Sequence, residues 1–194
     1  MNTEINQAVK LFIKTLEQLN VPYYIGGSIA SSVYGIARAT MDVDLVSELK
    51  KEHVKFLVQV LSKDYFIDEN MILDAIKNKS SFNLIHLETM IKIDVFISKE
   101  RRFDKISFER RKKDKISEES DSIQVFLRSA EDTILSKLEW YKSGGSVSER
   151  QWKDILGIIK VQGELLDEEY LREWAEELDV KNLLENAFKE GKLY

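Results

Sequence analysis

Asp42 and Asp44 stand one residue apart in ARATMDVDL, residues 37–45, where apolar and polar residues alternate without a break. A period of two predicts a strand, and side chains at i and i+2 of a strand point the same way, about 6.6 to 6.8 Å apart. Arg38, Thr40, Asp42 and Asp44 are then expected on one face, with Ala37, Ala39, Met41, Val43 and Leu45 on the other. Carboxylates that close repel each other, which raises one pKa or demands a counter-charge; a Mg²⁺ ion held by both meets that demand with the oxygen ligands it prefers. A bare Asp-x-Asp is better explained by a solvent-facing strand whose polar side is acidic, with Arg38 pairing with Asp42, so other residues have to move the balance.

Two do. Gly26-Gly27-Ser28 follows a short apolar run and precedes a helical pattern. Glycines at such a turn let the backbone approach a ligand, and a helix N-terminus offers free N–H groups to phosphate. The second is Asp94 in MIKIDVFI, where Ile91, Ile93, Val95 and Ile97 form one face of a strand and Lys92 and Asp94 the other. An aspartate flanked by apolar residues costs stability unless it has a partner. If its strand lies beside that of Asp42 and Asp44, three carboxylates converge.

The elements that must position these residues can be read from periodicity and punctuation. Residues 3–19 carry apolar positions at helical spacing and stop at Asn20-Val21-Pro22; a strand is expected over 22–25 and a helix opened by Ser28 and closed by Gly35. A helix over 51–62, a short strand over 65–67 and a short helix over 71–77 follow. Residues 82–87 and 90–97 predict an antiparallel hairpin turning at Glu88-Thr89. Beyond Ser129 the pattern becomes helical. Ser129-x-x-Asp132 and Ser146-x-x-Glu149 resemble capping boxes, Gly163 ends the second helix, and two more are expected over 167–178 and 180–190. The fold class is therefore α+β: a small mixed or antiparallel sheet flanked by helices over residues 1–125, then a helical bundle over 126–194, with the basic stretch near 100–120 as the connection.

With these elements in place the residues carry a resemblance. The order helix, strand, Gly26-Gly27-Ser28, thirteen residues, Asp42-Val43-Asp44 and a distal strand aspartate resembles the nucleotidyltransferase superfamily typified by polymerase beta. GGSIASSVYGIARATMDVDLV is most similar to the small bacterial nucleotidyltransferases related to abortive-infection (AbiEii-type) toxins. Lys137 in SAEDTILSKLEWYKSGG and Asp154 in RQWKDILGI resemble the lysine and aspartate that this group carries in its helical half. The resemblance implies transfer of a nucleoside monophosphate from an NTP such as ATP to an acceptor hydroxyl, with release of pyrophosphate. It implies Mg²⁺, or Mn²⁺ in its place, on Asp42, Asp44 and Asp94, with Asp94 also helping to deprotonate the acceptor. Gly26, Gly27, Ser28, Arg38, Thr40, Lys137 and Asp154 would form the nucleotide site, with Lys137 also serving the chemistry. The acceptor would be tRNA or other RNA, a protein or a small molecule, and a cognate toxin or antitoxin partner is implied. The alternative is a non-catalytic module of the same fold, acting as an antitoxin or regulatory partner.

Composition bounds these functions. The 194 residues carry a net charge of -5, no cysteine and two histidines, so disulfides and thiolate zinc sites are excluded. His53 and His86 are too unaccompanied for a metal site or triad, and Trp140, Tyr141, Trp152 and Trp174 are expected to pack rather than stack a base. A net acidic chain is a poor general coat for nucleic acid. Residues 99–115, however, hold nine basic against four acidic side chains, a patch that a polyanion such as tRNA could meet. No apolar run approaches the roughly 20 residues that cross a bilayer, and no signal-like segment opens the chain, which gives the expectation of a cytoplasmic protein without a membrane partner.

Overall fold

A computed structural model of the chain describes residues 2–116 and 123–191. Contacts divide it into two units, Met1–Ile29 with Ala39–Leu127, and Ala30–Arg38 with Arg128–Tyr194.

The first unit is built on one mixed sheet. Its strands are β1 (Tyr23–Ile25), β2 (Asp42–Ser47), β3 (Tyr65–Phe66), β4 (Ser81–His86), β5 (Lys92–Ile97), β6 (Lys112–Lys115) and β7 (Gln124–Leu127), in the order β3-β4-β5-β2-β1-β7-β6. β4 and β5 form the expected antiparallel hairpin, while β2 pairs parallel to β5 through the connecting helices α3 (Lys51–Leu61) and α4 (Glu69–Asn78). Alternation sets the two faces. Val43, Leu45, Ile93, Val95, Phe82 and Leu84 are fully or nearly fully buried, and α1 (Asn2–Gln18) adds Ile5, Val9, Phe12, Ile13 and Leu16 to the core. The Tyr65 hydroxyl donates to the Ala8 carbonyl at 2.7 Å, tying β3 to α1. The residues between them in each strand remain partly exposed and form an open face.

The second unit is helical: the last turns of α2 (Gly27–Tyr34), then α6 (Ala130–Ser143), α7 (Glu149–Gln162), α8 (Glu168–Glu177) and α9 (Lys181–Gly191). The Ser129 hydroxyl accepts from the Asp132 amide at 3.1 Å and donates to its carboxylate at 3.0 Å, so Ser129 caps α6 as expected. The second shifts: Gly145 and Ser146 both take positive φ in a turn, and the cap of α7 is Ser148, which accepts from Gln151. Among the described residues no helix is long and apolar enough to cross a membrane. His53 caps α3 by accepting from the Lys50 amide, and His86 is buried beside Thr89, both structural roles. Trp174 is buried and Trp152 stacks near Tyr141, whereas Trp140 is exposed.

Further expectations change. Helix α2 starts at Gly27, so Ser28 lies inside its first turn and does not cap it. Residues 37–41 are not strand: β2 starts at Asp42 because its partner β5 starts at Lys92, which stands opposite Asp42 and leaves earlier residues nothing to pair with. The basic stretch is no plain connector either. It forms α5 (Arg102–Arg110) and the edge strand β6, whose four residues are all exposed. Charged edge residues of this kind discourage pairing with another chain.

Candidate active site

Strand register puts the carboxylates on one face. β2 and β5 run parallel with Asp42 opposite Lys92 and Asp44 opposite Asp94, and Asn83 of β4 stands on the far side of Asp94. Asp42, Asp44, Lys92, Asp94 and Asn83 therefore share the open face. The expectation that the strand of Asp94 lies beside that of Asp42 and Asp44 is met.

The glycine turn borders the same face. The Gly26 amide donates to the Asp44 carbonyl at 2.9 Å, which fixes the end of β1 against β2. Gly27 opens α2 with a φ of +52°, and a Cβ there would lie 1.8 Å from Oδ2 of Asp44. Only a residue without a side chain lets that carboxylate rest on the first turn of a helix, where the backbone dipole favours negative charge. Gly27→Ala is accordingly expected to push Asp44 out of place at a stability cost of about 1 to 2 kcal/mol. Urea denaturation gives the cost, and a crystal structure of the variant shows the displacement; an unmoved Asp44 would contradict it.

A cation is present on the open face. Nζ of Lys92 lies 2.8 Å from Asp94 and 4.0 Å from Asp42. Hydrogen bonding to Asp94, with the charges of Asp94, Asp42 and Asp44, holds its ammonium above the ordinary lysine value. As the side chains stand, no three His, Asp or Glu groups among the described residues converge on a shared ion. The donors nevertheless fit one by chemistry, since they are carboxylate oxygens on adjacent strands, already drawing a cation between two of them.

Arg38 and Thr40 do not join the aspartates as strand neighbours. Thr40 is buried and its hydroxyl donates to the Asp42 carbonyl at 3.2 Å. Arg38 belongs to the helical unit, where Nε and Nη2 donate to the two oxygens of Asp154 at 2.8 and 2.9 Å. Lys137 Nζ donates to the same carboxylate at 2.8 Å and to Gln151 at 2.9 Å. Arg38, Lys137 and Asp154, far apart in sequence, thus form one cluster, with the Lys137 and Asp154 side chains 7% and 6% exposed. Burial alone would raise the Asp154 pKa, but the hydrogen bonds and charges of Arg38 and Lys137 outweigh it and hold the carboxyl below its ordinary 3.8.

No family model and no curated protein matches the chain. Solved structures do, two of them as follows. The antibiotic-resistance factor ANT(2'')-Ia superposes with a TM-score of 0.55 at 14% identity, covering 98% of this chain and 100% of its own. An antigenic nucleotidyltransferase-like protein from Paracoccidioides brasiliensis gives 0.51 at 18% identity, covering 93% and 90%. The chain has the nucleotidyltransferase fold. Within that fold the expected α+β class and helical C-terminal half are observed, with β2 and β5 as the strands that carry the acidic residues.

Lys92 and Asn83 were not singled out from sequence as site residues. A hairpin centred on Glu88-Thr89 places Asn83 opposite Asp94, so the expected turn already held that signal. Lys92 stands on the face of Asp94 in the same alternation, but alternation alone gives its face and not its partners.

Proposed function

We propose that the chain is a Mg²⁺-dependent nucleotidyltransferase that moves a nucleoside monophosphate from an NTP to an acceptor hydroxyl and releases pyrophosphate. The observation that carries this reading is the register of Asp44 with Asp94 on the open face, Asp42 beside them and the Gly27 turn against Asp44. Asp42, Asp44 and Asp94 would hold the divalent ions, with Mn²⁺ able to replace Mg²⁺. Bound there, such ions stabilise both the attacking and the leaving oxygen of an in-line phosphoryl transfer. Asp94 accepts the proton of the acceptor hydroxyl. Gly26, Gly27 and Ser28 receive phosphate oxygens at the start of α2, as helix N-termini do. Thr40 serves the nucleotide from the first unit in this reading; within the helical unit Arg38 and Lys137 supply positive charge for it, and Asp154 fixes where those cations sit. Phosphoryl transfer depends mainly on such positioning and electrostatics.

The branch related to abortive-infection toxins, and with it a cognate toxin or antitoxin partner, is supported by the Gly26-Gly27-Ser28 to Asp42-Val43-Asp44 spacing and by Lys137 and Asp154. The acceptor is assigned to RNA, tRNA included, or another polyanion on the strength of the exposed lysines of β6 and the arginines at the end of α5. The test is incubation of the chain with Mg²⁺ and each labelled NTP in a whole-cell extract. Label is expected in the RNA fraction, with matching pyrophosphate, and is expected to vanish with Asp94→Asn. Label in protein or small molecules would keep the activity and replace the acceptor. No transfer and no nucleotide binding would favour the non-catalytic module.

A further inference from the structure

Lys92 occupies the position in which a divalent ion would first be attracted. It opens β5 opposite Asp42 and two residues before Asp94, on their face of the sheet. Its side chain is 42% exposed, against 58% for Asp42 and 24% for Asp94. Ion pairs this exposed contribute little to folding, between about 0 and 1 kcal/mol, so stability does not account for the arrangement. Its larger consequence is for other cations. An ion drawn to the same carboxylates has to enter against this positive charge, and the repulsion between an ammonium and a doubly charged ion about 4 Å away is worth about a tenfold change in affinity or more even when well solvated.

We infer that Lys92 is an internal competitor for the cation seat of Asp42, Asp44 and Asp94: it offsets part of their negative charge in the ion-free protein, pairing with Asp94 and Asp42, and has to turn aside for a divalent ion to bind. The inference rests on the reading of this face as metal-binding. It explains why three carboxylates can share a face yet stand apart from a common point: the cation that offsets their repulsion reaches Asp94 closely and Asp42 only at 4.0 Å. It also means that the chain's own lysine, and not the aspartates alone, sets the metal concentration at which the site fills. Turning aside is within reach of a partly exposed lysine on a flexible four-carbon stem.

The experiment is a titration of the full chain with Mn²⁺ in the absence of nucleotide, reading free Mn²⁺ by electron paramagnetic resonance, with folding checked by circular dichroism. Lys92→Met is expected to bind Mn²⁺ about tenfold more tightly than the parent. Lys92→Arg, which keeps the charge, should track the parent, and Lys92→Gln provides a second neutral variant should methionine disturb the fold. Neutral variants that bind no tighter than the parent overturn the inference, as does an arginine variant that tightens equally, because charge would then not be the cause. The Asp42→Asn plus Asp44→Asn variant separates the two levels. If it abolishes Mn²⁺ uptake while Lys92 substitutions change nothing, only the competitor role fails. If the parent and all variants take up no Mn²⁺, the metal reading fails and the inference with it.

Discussion

Replacing both Asp42 and Asp44 by asparagine is expected to lower nucleotidyl transfer by at least about a thousandfold while leaving the sheet folded. Metal-ion stabilisation of phosphoryl transfer is worth several kcal/mol, and each 1.4 kcal/mol is about tenfold in rate. Asparagine keeps the size of each side chain and one oxygen but gives up the charge that draws the ion. Folding should survive because both residues lie on the open face, Asp42 exposed and Asp44 half-buried, whereas the core-facing residues of β2 are untouched. The binding readout is independent of turnover. Mg²⁺ with NTP should raise the unfolding temperature of the parent, as any ligand of the native state does, and should leave the double variant unshifted. A double variant that still responds would place the metal elsewhere.

The second large effect concerns stability. Asp154→Ala removes a carboxylate that accepts from both Arg38 and Lys137 and takes the charged partner at 2.8 Å from the buried Lys137 ammonium. Breaking a buried ion pair from one side costs about 3 to 5 kcal/mol; with Arg38 about a quarter exposed, the lower end is expected. Chemical denaturation should show the loss, and Lys137→Met with Asp154→Leu should recover part of it, since the buried ammonium goes with the carboxylate while Arg38, about a quarter exposed, can be solvated. The same cluster gives a pH dependence. The Asp154 carboxyl is held below its ordinary 3.8, so its contribution is present above that value and is lost as pH falls through the lower, folded-state pKa. Asp154→Asn should lack this acid-side component. A variant with the parent's acid profile would show that the carboxylate is not held by its two cations.

Periodicity carried the fold a long way because most elements here follow their local pattern. Helices α1 and α3, the β4–β5 hairpin and the cap at Ser129 depend on nearby residues alone, and each formed where spacing and capping put it. What failed was non-local. The alternation of ARATMDVDL runs to Ala37, yet a strand is as long as its partner allows, and β5 offers nothing before Lys92. Arg38, read as a strand neighbour of Asp42, instead pairs with an aspartate 116 residues away. The edge strand Lys112–Lys115 was hidden because KKDK has no apolar alternation to betray it. At the site, the pairing of Asp44 with Asp94 does not follow from sequence, since a single strand does not announce its neighbour. Lys92 was visible as a residue on the right face but not as a cation held by two carboxylates, which depends on the parallel register between β2 and β5.

The central claim is that divalent ions bind on the carboxylates of β2 and β5, and anomalous diffraction from crystals grown with Mn²⁺ and a non-hydrolysable NTP tests it most directly. The predicted result is a strong peak about 2 Å from carboxylate oxygens of Asp42 and Asp44, as expected for ions of this kind, with Lys92 turned away from Asp94. A map without a peak on that face, with Lys92 still between Asp42 and Asp94, would contradict it.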